Sequence, residues 1–222
     1  MAEITATMVR DLREKTGAGM MDCKKALLEN GGDFTKSEEW LRKKGIASAG
    51  KKAGRVAAEG LVGTYVHSGK IGVLVEVNCE TDFVARNEDF IQLVRDIAMH
   101  IAAASPTYVR REEVPPELVE KEKELLKAEL REQKKPEAIW EKILPGKVEK
   151  YYELNCLMDQ IYVKDETRKK KIADVITEAV AKIGENISVR RFVRYQVGEG
   201  IEKKKENLAD EVAKTMDASA KA

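Results

Sequence analysis

The residue types that carry most covalent and metal chemistry are sparse in this chain and poorly spaced for it. Three cysteines, Cys23, Cys79 and Cys156, lie far apart and are odd in number, so neither a disulfide framework nor a Cys-x-x-Cys zinc site can be assembled from them. The two histidines, His67 and His100, stand at no metal-ligand spacing from each other or from a cysteine. No nucleophile can be placed beside a base. A phosphate loop ending in Gly-Lys-Ser/Thr is missing, and Gly198-Glu199-Gly200 lacks the strand, turn and helix context of a dinucleotide fingerprint. No metal, cofactor or nucleotide site is expected.

One stretch does join suitable residue types to a fixed geometry. The most strand-like segment, Ile71 to Asn78, leads through Cys79-Glu80 into Thr81-Asp82-Phe83-Val84-Ala85-Arg86 and then an amphipathic segment from Asn87 onward. Thr81 can cap a short helical turn with its hydroxyl, and Asp82 in that turn complements the positive end of the helix dipole. Phe83 therefore sits on a strand-to-helix corner, where its ring either fills the core or is held out toward a partner. The pattern alone leaves both open.

Composition narrows the kind of partner. The 222 residues hold 40 Lys and Arg against 39 Asp and Glu, so broad attraction to nucleic acid or an anionic membrane is not expected and a protein partner is the better default. The basic runs Lys51-Lys52, Lys169-Lys170-Lys171 and Lys203-Lys204-Lys205 favour an RNA-binding alternative, whose affinity would fall steeply with salt. A hydrolase or transferase is a second alternative, opposed by the lack of a placed nucleophile and base. Met1 to Lys15 mixes both charge signs without an apolar run, and no segment has the length of a membrane span, so the cytosol is the expected compartment.

The elements that must position the corner follow from capping and periodicity. Thr5 caps a first helix with Ile4 and Val9 as a hydrophobic staple, and Gly17 stops it. Met21 to Glu29 forms a second helix, broken by Gly31-Gly32. Thr35-Lys36-Ser37-Glu38 reads as a capping box for a third, which carries Trp40 and Leu41 and ends near Gly45. Residues 1-45 thus make a three-helix module, and 46-60, rich in Ala, Gly and Lys, a partly helical linker and hinge.

Leu61 to Val66 and Ile71 to Asn78 pair as a hairpin through His67-Ser68-Gly69-Lys70, with Ile71, Val73, Val75 and Val77 on one face and Leu74 on the other. After the corner, Asn87 caps a helix bearing Phe90, Leu93, Val94, Ile97 and Ile101, which Ser105-Pro106 ends. Pro115-Pro116 opens a charged helix to about Lys134 whose narrow apolar seam fits a helical hairpin. Pro136 starts a short helix that Pro145-Gly146 breaks, and Val148 to Leu154 forms another piece. Thr167 caps the last core helix, Gly184 stops it, and Ile187 to Val197 alternates as a third strand. The tail from Glu199 carries a helix from Asn207 to Met216.

Three blocks, in this order along the chain, carry a resemblance: Thr16-Gly17-Ala18-Gly19-Met20-Met21-Asp22-Cys23-Lys24-Lys25-Ala26-Leu27, then Asn78 to Arg86, then Lys182-Ile183-Gly184-Glu185-Asn186-Ile187-Ser188-Val189-Arg190-Arg191. Together they resemble the elongation factor Ts family of bacteria and organelles. The resemblance implies a guanine-nucleotide exchange factor that binds elongation factor Tu in its GDP form and disrupts its magnesium site, with no covalent reaction. It implies that Thr81, Asp82, Phe83 and Val84 form the wedge, Asp82 and Phe83 foremost.

The same resemblance makes the N-terminal module ubiquitin-associated-like (UBA-like), presenting Met20, Met21 and Lys24 to the partner's G domain, and gives His67 a partner contact. On the residues alone, the two methionines serve equally as core, Lys24 as a solvated lysine and His67 as a polar turn residue. The tail resembles a terminal module that docks on factor Tu. Long members carry two related core halves and this chain only one, so a homodimer is expected to cover the sheet's second face. The expected fold is α+β: the module (1-45), the linker (46-60), a core of a three-stranded antiparallel sheet with packed helices and a helical hairpin (61-198), and a helical tail (199-222).

Overall fold

Thr5 accepts a hydrogen bond from the Met8 amide and so opens α1 (Ala6–Thr16), which Gly17 closes in the left-handed conformation at φ 68°. The structure is a computed structural model and describes residues 4–201. α2 (Met20–Glu29) and α3 (Phe34–Lys52) follow, and Val9, Leu12, Cys23, Ala26, Leu27 and Leu41 bury together as a small core of their own. α3 departs from expectation at both ends. Its cap is Asp33, which accepts from the Lys36 amide at 3.0 Å, instead of Thr35.

At its other end α3 does not stop near Gly45 but runs on to Lys52. A Cβ on Gly45 would lie 3.1 Å from Ala181 Cβ. The close approach of another helix at that point offsets the roughly 1 kcal/mol that a glycine costs inside a helix. Residues 46–52 of the expected linker are thus helix, and Ala49 packs against the main core. The non-helical connector is confined to 53–58.

β1 (Glu59–His67) and β2 (Ile71–Cys79) form the hairpin, and Ser68 and Gly69 both take positive φ, 49° and 66°, in its tight turn. Val73, Val75 and Val77 alternate with Leu74 and Glu76, so the pleat buries all three valines on one face. A single turn, α4 (Asp82–Ala85), leads to α5 (Glu88–Ala104), capped by Asn87 and ended by Ser105. α5 crosses the buried sheet face closely enough that a Cβ on Gly63 would meet Val94 Cγ1 at 2.3 Å.

α6 (Pro116–Glu132) and α7 (Trp140–Asn155) form the helical hairpin, with Arg131 over the Trp140 ring. α7 runs straight through Pro145-Gly146, where a break was expected. Pro145 lies on the exposed side, so the carbonyl it deprives of an amide partner is left on a side that water reaches. α8 (Ile172–Ile183) is capped at Lys171, whose amide donates to Asp174; Thr167, the expected cap, instead bonds Asp165 in the preceding turn. Gly184 ends α8 at φ 93°, and β3 (Ser188–Gln196) pairs antiparallel with β2, giving the order β1-β2-β3. The helix expected over Asn207 to Met216 lies outside the described residues.

His100 on α5 is fully buried inside this core. Its Nδ1 accepts from the Val163 amide at 3.3 Å, so Nε2 carries the proton and donates to Gln160 at 3.0 Å. Burial depresses its pKa, with the Gln160 bond opposing. The nearest ring is Tyr162, whose hydroxyl donates to Asp96 at 3.0 Å. A base whose folded pKa is lowered contributes stability that is full above its unfolded value of about 6.5 and drains as the pH falls from there through the folded value. Urea unfolding at about pH 7.5 and about pH 5.5 should therefore show a smaller acid loss in His100→Gln than in the parent. Equal losses would place the acid sensitivity elsewhere.

Candidate functional site

When β2 leaves the sheet at Cys79, the next two backbone amides lose their ladder partners and need acceptors. Glu185 supplies both: one carboxylate oxygen accepts from the Glu80 and Thr81 amides, each at 3.0 Å, and the other accepts from the Thr81 hydroxyl at 2.6 Å. The same hydroxyl oxygen accepts from the Val84 amide at 3.4 Å, which is the helix cap expected of Thr81. Cys79 is buried before the turn and Ala85 and Phe90 after it. Burial and the neighbouring Glu185 carboxylate push the Cys79 thiol up, away from thiolate chemistry.

Between these anchors the turn points its two apolar side chains in different directions. Val84 packs against the core, whereas Phe83 is 79% exposed. The core alternative for Phe83 therefore fails. Asp82 beside it takes the Arg86 guanidinium at 3.0 Å, an exposed pair that contributes little to stability.

Met20 and Met21 stand in the first turn of α2 and are 49% and 75% exposed, while other side chains fill the module's core. Lys24, one turn on, is exposed too. His67 is exposed at the tip of the hairpin, its Nδ1 3.1 Å from the Tyr65 hydroxyl. Because Glu59 pairs with Cys79 and His67 with Ile71, the tip lies roughly 25 Å along the strands from the corner. The fold thus gathers Thr81 to Val84 in one turn but leaves His67 at the opposite end of the sheet. Of the lysine runs that favoured RNA, Lys52 approaches the Val180 carbonyl, Lys170 pairs with Glu178 and Lys171 with Glu153, while Lys203-Lys204-Lys205 lies outside the described residues.

Sequence reasoning gave no role to the loop that holds the corner. Glu80 returns the bond it receives, its carboxylate accepting from the Asn186 amide at 2.6 Å, and Asn186 Nδ2 donates to the Arg55 carbonyl at 2.7 Å. No local signal marks Glu185 or Asn186, since only the fold brings them to Glu80. Their one distinction was membership of the third family-like block.

The site is thus an aromatic ring held out in solvent on an anchored turn, which composition and spacing alone do not assign to any one kind of protein. The comparisons specify the family. Residues 49–199 match the Elongation factor TS family model. Elongation factor Ts of Myxococcus xanthus is 68% identical over 216 residues, covering 97% of this chain and 99% of its own. The proteins of that name from Anaeromyxobacter sp. strain K and Alkaliphilus oremlandii are 69% and 58% identical, each over 96% of this chain and 97% and 98% of their own. The chain belongs to the elongation factor Ts family.

The exposure of Phe83 sets a stability test. Phe83→Ala should change unfolding free energy by no more than about 0.5 kcal/mol in urea titration, while Thr81→Val, which removes the cap and one bond to Glu185, should cost about 1–2 kcal/mol. A loss above about 3 kcal/mol in Phe83→Ala would return the ring to the core.

Proposed function

We propose that this chain binds elongation factor Tu in its GDP form in the cytosol and accelerates GDP release, so that GTP takes the emptied site during translation elongation. Membership of the elongation factor Ts family supports this. The observation that carries it is Phe83, an aromatic ring exposed to solvent on a turn that its neighbours hold fixed. Asp82 and Phe83 wedge against helices of the partner's G domain and loosen its magnesium and phosphate sites, while Thr81 and Val84 fix the wedge. Met20, Met21 and Lys24 on the module formed by residues 1-45, His67 at the hairpin tip and the tail from residue 199 add further contacts. The chain performs no covalent step; nucleotide and magnesium belong to the partner.

Magnitudes limit what one ring can do. Burying a phenyl group supplies roughly 1.5–3 kcal/mol, and a thousandfold weakening of GDP binding needs about 4 kcal/mol of coupling. Phe83 carries much of the effect and the other contacts supply the rest. Coupling is reciprocal, so GDP with magnesium weakens this chain's hold on factor Tu by the same factor.

The chain acts as a homodimer in this reading. The outer sheet face carries Val62, Val66, Leu74, Val193 and Tyr195, all exposed, as one apolar field across three strands. Beside it Arg190 and Arg191 hold the Glu76 carboxyl down at about 2. A second copy apposed about a twofold axis brings the same field against itself.

Two measurements check these proposals. Release of a fluorescent GDP from factor Tu should be strongly accelerated by the chain. Phe83→Ala should lose most of that acceleration, and Asp82→Ala less of it; full activity in Phe83→Ala would rule out the wedge. Light scattering at micromolar concentration should give twice the 24.9 kDa chain mass, reverting toward one chain in Leu74→Asp, and a monomer throughout would reject the dimer.

A further inference from the structure

We propose that Glu185 is a positioning residue for nucleotide exchange: its carboxylate fixes the direction in which the corner presents Phe83. This rests on the reading of Phe83 as the exchange wedge. α4 is a single turn of four residues, too short to be stable without tertiary support. Its outward side chains cannot anchor it, because Phe83 lies in solvent and the Asp82 pair with Arg86 is exposed. What remains is the inward packing of Val84 and Ala85, the Cys79 thiol's bond to the Thr81 carbonyl at 3.1 Å, the bond from the Asn186 amide to Glu80 and the three bonds to Glu185.

Glu185 is itself held firmly. It follows the left-handed Gly184 that ends α8, a helix rooted in the core through Ile172, Ile176 and Val180. Asn186, next in the chain, is buried and donates its amide to Glu80. Each of the two loops therefore contributes a carboxylate that accepts the other's backbone amide, and neither can shift without breaking bonds of both. Asn186 also ties in the Arg55 carbonyl, on the connector that leads from the N-terminal module. A ring presented in one orientation avoids much of the ordering cost of docking, so the clasp acts on exchange without touching the partner.

The test compares Glu185→Ala with Glu185→Gln. Glutamine keeps a carbonyl oxygen for the two amides and can donate to the Thr81 hydroxyl, so it should rescue most of what alanine loses. In the free protein, amide hydrogen exchange at Glu80 and Thr81, followed by NMR, should quicken about tenfold or more in Glu185→Ala. GDP release from factor Tu at saturating exchange factor should slow about tenfold, with the half-saturating concentration moving less than about threefold. In the Phe83→Ala background, Glu185→Ala should add less than about a further twofold.

Unchanged amide exchange would overturn the clasp. Quickened amide exchange with unaltered GDP release, or an equal slowing with and without Phe83, would overturn the positioning role. If Phe83→Ala alone left release intact, the wedge reading and this proposal would fall together, while the amide data would still judge the clasp. Should Glu185→Ala fail to fold, Thr81→Val, which deletes the hydroxyl's bond to Glu185 together with its cap on the Val84 amide and leaves the two amide bonds to Glu185, takes its place and should slow release about threefold or more; no slowing there would overturn the role.

Discussion

The arrangement depends on how the chain leaves a central strand without stranding its backbone. β2 is paired on both sides along its length, so at Cys79 two amides pass abruptly from ladder partners to none. One carboxylate, 105 residues away from Glu80 in sequence, takes both. A charged acceptor is stronger than a carbonyl and needs no further strand, which lets the chain turn at once into α4. Had the sheet continued, the Phe83 ring would sit in a strand and its direction would alternate into one face or the other.

The core provides the stiffness behind that corner. Three valines of β2, the crossing helix α5 at Gly63 and the rooted helix α8 form one packed body, and the Glu185 loop is the end of α8. The N-terminal module has a separate small core but is not loosely tethered to this body, because α3 continues past Gly45 and lies against α8. The module surface bearing Met20 and Met21 and the corner bearing Phe83 are thus connected through helix packing as well as through the chain.

The amphipathic patterns were legible because they are local. Thr5 and Asn87 as caps, Gly17 and Gly184 as stops, the hairpin turn at Ser68-Gly69 and the alternation of Val73, Val75 and Val77 each follow from neighbours a few residues apart. Two of the expectations that failed had local signals that distant packing or solvent overrode. Gly45 stayed helical against Ala181, and Pro145 stayed helical because it faces outward. Thr167 gave up its cap to Lys171 because Asp165 takes both its amide and its hydroxyl.

By itself the sequence determined the α+β class, the order of the elements, the family resemblance and the turn on which Thr81, Asp82, Phe83 and Val84 stand. Spacing, capping and block similarity all act over short stretches. Only the tertiary structure decided that Phe83 points to solvent while Val84 packs inward, since the direction of a side chain on a single turn depends on what is packed behind it. It alone brought Glu185 and Asn186 to Glu80 and Thr81, because a hydrogen bond between loops a hundred residues apart leaves no period in the sequence to read.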